Sequence, residues 1–306
     1  MEKTLDDVIL LFDKKKGVTS FGAIEEVRRL LRVERIGHSG TLDRSASGLL
    51  VICTGRATKL TRYFLESDKS YTGVIKLGLV TDTCDGDGEI IERRECHPPE
   101  ESVIRSAEIA FTGELLQRPP RYSAIKISGK RASDRARAGE DVEIESRRVR
   151  IDSLRLSNYD AVASTLRVDI NCSKGTYVRS LARDIGEYLG TGAYLADLRR
   201  VGSGAFSVDD AVSLEEMVDY LAGGTIEKRF SYSPLEALSH LGRIILRDGV
   251  EQRVKNGAAF TSGDVLSVEL RKGVPSTVLD SRKNLIAIAE LDADNWSVRY
   301  LNVFNW

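Results

Sequence analysis

Segments with the two-residue period of strands and the 3.6-residue period of helices follow one another irregularly along this chain. That irregularity constrains its fold more than any other feature. Val8–Phe12, Leu49–Ile52 and Tyr71–Leu79 read as strands, and Leu166, Val168, Ile170 and Cys172 alternate with Arg167, Asp169 and Asn171 as in a half-buried strand. Between them, Ser20 is placed to cap a helix from about Phe21 to Arg32 with Ile24, Val27 and Leu31 on one face. A second helical pattern follows Pro98-Pro99 through Val103, Ile104, Ala107 and Ala110. A third starts near Ser180, with Leu181, Ile185, Tyr188 and Leu189 turned inward and Gly190 as terminator. Without strict β-α-β alternation, the order predicts an α+β fold: a mixed, largely antiparallel sheet flanked by helices. A helical stretch near Ser213–Ala222 is followed by Gly223-Gly224 and Ser231–Pro234, which mark a transition. Past about Leu241 the pattern turns strand-like, over Val265–Leu270, Leu285–Leu291 and Val298–Phe304, with turn signals at Asn256-Gly257 and Ser262-Gly263-Asp264. The expected division is residues 1–240 and a small β-rich module over 241–306.

A chain of 306 residues can bury a substantial core in two such units. The run Val8-Ile9-Leu10-Leu11-Phe12 is far too short to span a bilayer, so the expectation is a cytoplasmic protein with no membrane role. Cys53, Cys84, Cys96 and Cys172 form no C-x-x-C pair, and His38, His97 and His240 have no ligand spacing. No metal site is expected, and the thiols read as free, as in a reducing compartment. The net charge of −1 hides a local excess: Arg118 to Arg137 holds seven basic residues against one acid, Asp134. Such a stripe is either a solvated surface or a phosphate-binding one; Arg147, Arg148 and Arg150 close behind it favour RNA.

The segment Gly37-His38-Ser39-Gly40-Thr41-Leu42-Asp43-Arg44-Ser45-Ala46-Ser47-Gly48 sets one carboxylate among three glycines in twelve residues. Glycines at that density imply backbone at positive φ or in very close approach to a neighbour. On its own, Asp43 is either a turn-capping residue or a reactive group presented to a ligand.

The segment resembles the catalytic-aspartate motif of the TruB family of tRNA pseudouridine synthases, GH-x-GTLDP-x-A-x-G. Further similarities follow in the family's order. They are Asp13-Lys14-Lys15-Lys16-Gly17-Val18-Thr19-Ser20, Lys69-Ser70-Tyr71, and Leu77-Gly78 with Thr81-Asp82-Thr83 and Asp85. Gln117-Arg118-Pro119-Pro120-Arg121-Tyr122-Ser123-Ala124-Ile125-Lys126 and Gly129-Lys130-Arg131 come next. Last are Cys172–Leu181, Gly192-Ala193-Tyr194-Leu195 and Leu198-Arg199-Arg200.

The resemblance implies a pseudouridine synthase fold closed by a PUA-like RNA-binding domain. It also implies isomerisation of the uridine in the T-arm loop of tRNA, position 55, with no cofactor, guide RNA or obligatory protein partner, by a monomer. Carried over by motif, Asp43 is the catalytic carboxylate, Arg179 its cation and Tyr71 the active-site tyrosine that stacks on the base. His38 would fill the space left by the flipped base, Tyr177 and Leu198 would wall the pocket, and Lys14 and Gly17 would support it. Residues of about 117–145 would form an RNA-gripping insertion, with Lys126, Lys130, Arg131, Arg135 and Arg137 free to meet phosphates.

The chain departs from the family pattern at Arg44 and Lys15, each in place of a proline, at Val201 for threonine and at Ser133 for tyrosine. Arg44 removes a φ restraint and is expected to bring a second cation beside Asp43. Whether Asp43 attacks sugar or base, or takes a ribose proton, stays open at this level. A pure RNA chaperone is the alternative, against which Asp43, Tyr71 and Arg179 all stand. A glycoside hydrolase would need a second acid paired with Asp43, and no motif supplies one.

Overall fold

The computed structural model describes residues 5–127, 129–140, 144–223 and 230–304. Strand β1 (Ile9–Lys14) leads through helix α1 (Ser20–Leu31) to β2 (Ile36–Ser39) and β3 (Ala46–Thr54). Helix α2 (Thr61–Leu65) precedes β4 (Lys69–Leu77), the hairpin of β5 (Leu79–Thr81) and β6 (Ile90–Arg93), α3 (Glu101–Ala110) and β7 (Gly113–Gln117). A short excursion, β8 (Lys126–Ile127), β9 (Lys130–Arg131) and α4 (Ala132–Arg137), comes before the long strands β10 (Arg147–Asp160) and β11 (Thr165–Cys172). Then follow α5 (Val178–Tyr188), β12 (Ala193–Ser203), β13 (Phe206–Ser207), α6 (Leu214–Ala222), β14 (Ser231–Tyr232) and α7 (Pro234–Ala237). The last elements are β15 (Gly242–Leu246), α8 (Glu251–Lys255), β16 (Val265–Glu269), β17 (Ser276–Leu279), β18 (Leu285–Asp292) and β19 (Ser297–Val303).

The large sheet runs β14-β1-β3-β12-β4-β11-β10-β7, with β2 beside β3 and β13 beside β12. Among the described residues its pairings are antiparallel except β12 on β3. The sheet is mixed and largely antiparallel, as the irregular order predicts. The parallel pair matters for function. It sets Leu198, Arg199 and Arg200 against Ala46, Ser47 and Gly48, while β12 also pairs Arg200 with Tyr71 of β4. Residues far apart in sequence thus meet at the sheet centre.

Helices α3 and α5 cover one half of the sheet, burying Ala107, Leu181, Ala182 and Ile185 with Ile75, Leu166, Val168 and Ile170. Helices α1 and α6 cover β1 and β3 through Ala23, Ile24, Val27 and Met217. On the opposite side of those strands, Ile9, Leu11, Leu49 and Val51 pack with Leu238, Leu241, Leu279, Ile288 and Phe304. The five-stranded sheet β16-β15-β17-β18-β19 is thereby seated on the large sheet. Its own core, with Ile244, Val254, Phe260 and Ile286, lies on its other face.

Three local expectations are corrected. Thr19, not Ser20, caps α1, accepting from Gly22 N at 3.0 Å. Ser20 turns inward, its hydroxyl bonded to both N and O of Leu42 at 2.9 Å, which a solvent-facing cap could not do. Tyr188, expected to turn inward, is 47% exposed at the end of α5 and lies edge-on to Phe111. Asn256-Gly257 ends α8, with Gly257 at φ +83°, and so stops a helix where a bare turn was expected.

Candidate active site

A pocket of about 310 Å³ opens where the β2–β3 loop, β4, β12 and the start of α5 converge. Its wall includes Asp43, Tyr71, Tyr177, Arg179, Leu198 and Arg200. The glycines make the loop possible. Gly40 sits at φ +83° and Gly48 at φ +102°, both in the left-handed region. A Cβ on Gly48 would come within 2.8 Å of Arg200 N and closer still to its carbonyl oxygen, so β3 and β12 touch there backbone to backbone.

Asp43 is walled by protein on most sides but keeps 45% of its side-chain surface, toward the pocket mouth. Burial pushes its carboxyl above the usual range; Arg179 pulls it back down, Asp85 adds to the rise and Lys14 opposes it. Arg179 lies in the first turn of α5, is itself buried, and sets Nε 2.8 Å from Asp43 Oδ2 and 3.5 Å from Asp85 Oδ2. Its Nη1 donates to Thr83 O and its Nη2 to Tyr122 O, each at 3.1 Å. One guanidinium is therefore surrounded by four oxygens from three segments. Between two of them, Cys84 takes φ +61°, a bend that brings Thr83 O and the Asp85 carboxylate to the same cation. Asp85 is fixed in turn by Thr83 Oγ1 at 2.6 Å and Asp87 N at 3.1 Å.

Tyr71 and Lys69 share one face of β4, two residues apart, and both line the pocket. Burial raises the Tyr71 phenol and the nearby Arg200 charge lowers it. Lys69 donates to Phe64 O at 3.1 Å and Ser67 O at 2.5 Å, and burial takes it down to about 8. Lys14, fully buried below the loop, donates to the carbonyls of Lys15, Val18 and Ala46 at 2.9, 2.7 and 2.6 Å. Burial lowers it also to about 8. Gly17 meets the loop through N to Arg44 O at 2.8 Å.

Of the residues singled out by sequence, Asp43, Tyr71, Tyr177, Arg179 and Leu198 all reach the pocket. His38 does not line it. It lies on β2 opposite Ile52, with Nδ1 buried and unpartnered among the described residues, and burial beside Arg200 favours its neutral form. Arg44 sends Nε to Gly17 O at 3.0 Å, so its charge leaves the pocket where it was expected beside Asp43. Gln117 belongs to the core and not to an RNA grip: it accepts from Tyr177 N at 2.8 Å and donates to Tyr177 O at 3.1 Å, clamping the entry to α5. Arg118 O continues that clamp by accepting from Ser180 Oγ at 2.8 Å. Lys126 and Lys130 are exposed on the β8–β9 hairpin, while the Arg131 side chain falls outside what is described. Arg135 and Arg137 face Glu140 at 2.6 Å and Asp134 at 3.6 Å. Sequence reasoning overlooked Arg200; the signal was its place two residues beyond Leu198 on a strand, hence on the same face.

Against this geometry stand the comparisons with known proteins. Residues 28–178 match the model for the N-terminal domain of TruB family pseudouridylate synthases, and 179–246 the tRNA pseudouridylate synthase B C-terminal domain. A tRNA pseudouridine synthase B of Lactiplantibacillus plantarum is 42% identical over 84% of this chain and 85% of its own. The chain belongs to the TruB family. Another family member, from Aromatoleum aromaticum, is 44% identical over 80% of this chain and 78% of its own. The same fold is found in the solved structure of a Cbf5-Nop10-Gar1 complex, with TM-score 0.76 and 23% identity over 99% of this chain and 86% of that one. No helix among the described residues is long and apolar enough to cross a membrane.

Proposed function

We propose that this chain is a tRNA pseudouridine synthase that isomerises the uridine of the T-arm loop. The observation that carries the reading is the single carboxylate Asp43, 2.8 Å from the buried Arg179, in the pocket that Tyr71 also lines. The reaction breaks the C1′–N1 glycosidic bond, turns the base and joins C1′ to C5, which then gives up its proton while N1 gains one. It needs an ionised carboxylate beside the target nucleotide, a platform for the detached base and shelter from water.

Each need has a residue. Arg179 opposes the effect of burial on the Asp43 carboxyl and fixes its place at the pocket. Tyr71 offers a ring on which the extruded base stacks, worth roughly 1–3 kcal/mol, against a flipping cost of a few kcal/mol. Tyr177 and Leu198 close the sides. Lys126 and Lys130, exposed on their hairpin, meet phosphates of the T-arm stem, and Arg135 and Arg137 exchange their carboxylate partners for phosphates. Residues 241–306, the second domain of this division, supply a further RNA surface.

The test is pseudouridine formation in an unmodified tRNA transcript with purified protein and no additives, mapped to the nucleotide. Modification of the T-loop uridine that disappears in Asp43→Asn while the transcript is still bound is the expected result. Wild-type protein that binds and refolds the transcript without ever modifying it would overturn the reading and leave an RNA chaperone.

A further inference from the structure

Arg199 and Arg200 are adjacent on β12 and treated in opposite ways. Arg199 reaches Asp13 with two hydrogen bonds of 2.9 and 2.6 Å at the surface. Arg200 is 2% exposed and meets no carboxylate among the described residues. Its Nε donates to Leu49 O at 2.7 Å and its Nη2 to Gly40 O at 3.1 Å. Burying a guanidinium without an opposite charge is costly even after relaxation. Two neutral carbonyls offset only part of that.

What the guanidinium touches identifies its use. Gly40 begins the turn that delivers Asp43, and there is little slack: a Cβ on Gly40 would stand 3.3 Å from Arg200 Nη1. Leu49 lies on β3 beyond the same loop, so Arg200 bridges the two ends of the segment presenting Asp43. Across the sheet, Arg200 is the ladder partner of Tyr71, and both side chains line the pocket. Its charge also bears on the Tyr71 phenol.

We propose that Arg200 is a positioning residue for the isomerisation, tying the loop that carries Asp43 and the strand that carries Tyr71 into one rigid unit. Catalytic carboxylate and stacking platform then keep one spacing when RNA enters. The proposal rests on the pseudouridine synthase reading and adds to it a residue that touches neither sugar nor base.

The test compares single-turnover rate, reaction amplitude and tRNA affinity for wild type, Arg200→Lys, Tyr71→Phe and the double variant. Lysine keeps the charge and loses the two-carbonyl fork. The rate constant is expected to fall roughly 100-fold, as for a small misplacement of reacting groups, with the Kd for tRNA within about threefold of wild type. In the Tyr71→Phe background the same change should cost much less, since coupled residues do not add. A merely structural arginine would lower the amplitude and the Tm, leave the rate constant alone, and multiply independently with Tyr71→Phe; that pattern overturns the proposal. If Arg200→Lys does not fold, Gly40→Ala takes its place, because its methyl presses on Arg200 Nη1, and an unchanged rate constant there overturns the proposal as well. Wild-type protein that forms no pseudouridine sinks the functional reading itself, whereas full turnover in Arg200→Lys beside an active wild type sinks this inference alone.

Discussion

Around the pocket, Arg200, Lys14 and Lys69 are buried and held by backbone carbonyls, and Arg179 by carbonyls and two carboxylates. Along the basic segment after Gln117, Lys126 and Lys130 lie in the open and Arg135 and Arg137 rest against Glu140 and Asp134. The two regions are equally basic to the eye, yet their charges are held differently. A cation fixed by carbonyls has its orientation set before substrate arrives, which suits electrostatic preorganisation. A cation in an exposed ion pair is bound by about 1 kcal/mol or less and can exchange its partner for a phosphate. The difference teaches that interior charge should govern turnover and surface charge should govern binding.

Substitutions can break that division. The largest effect is expected for Arg179→Gln, which removes the cation opposing the burial of Asp43. Single-turnover rate should fall on the order of 10²–10³-fold. Arg179 lowers the Asp43 pKa, so its loss raises it, and the acid limb of the pH–rate profile should move to higher pH. Gly48→Ala sets a methyl against the Arg200 backbone at a left-handed φ and should lower stability by about 2–4 kcal/mol in urea unfolding. Lys126→Ala should leave the saturating rate intact and weaken tRNA binding. Its slope of log affinity against log salt should fall by about 0.7–0.9 if one phosphate contact is lost.

Smaller effects sharpen the same comparison. Lys14 and Lys69 hold their protons only to about pH 8 when folded, whereas the ordinary lysine value is 10.5. Between those values the unfolded chain binds more protons, so stability should rise with pH across that window. Urea midpoints should show the rise, and Lys14→Met should flatten it. Arg44→Pro gives the smallest change. It removes one exposed hydrogen bond, to Gly17 O, worth about 1 kcal/mol, and turnover should stay within about threefold of wild type.

Much of the fold was legible because periodicity reports burial directly. The alternation over 166–172 became β11, and the apolar face of Ile24 and Val27 became the buried side of α1. Asp43, Tyr71 and Arg179 were legible because short motifs carried them in order, and the sheet brings all three to one pocket. The structural roles of Arg200 and Gln117 were not legible, for a physical reason. Their partners are backbone atoms of Gly40, Leu49 and Tyr177, and a carbonyl or amide leaves no mark in the residue pattern. The place of His38 off the pocket wall was not legible, because a residue beside a reactive loop in sequence still points where its strand directs it. On β2 that direction is not the pocket wall.

The division between interior and surface charge is tested most directly by measuring single-turnover rate and tRNA Kd side by side for Asp43→Asn and for the double variant Lys126→Ala/Lys130→Ala. The first should lose turnover with a Kd near wild type. The second should bind more weakly and still react at the wild-type rate once saturated. Loss of binding in Asp43→Asn, or a lowered saturating rate in the lysine variant, would contradict the account.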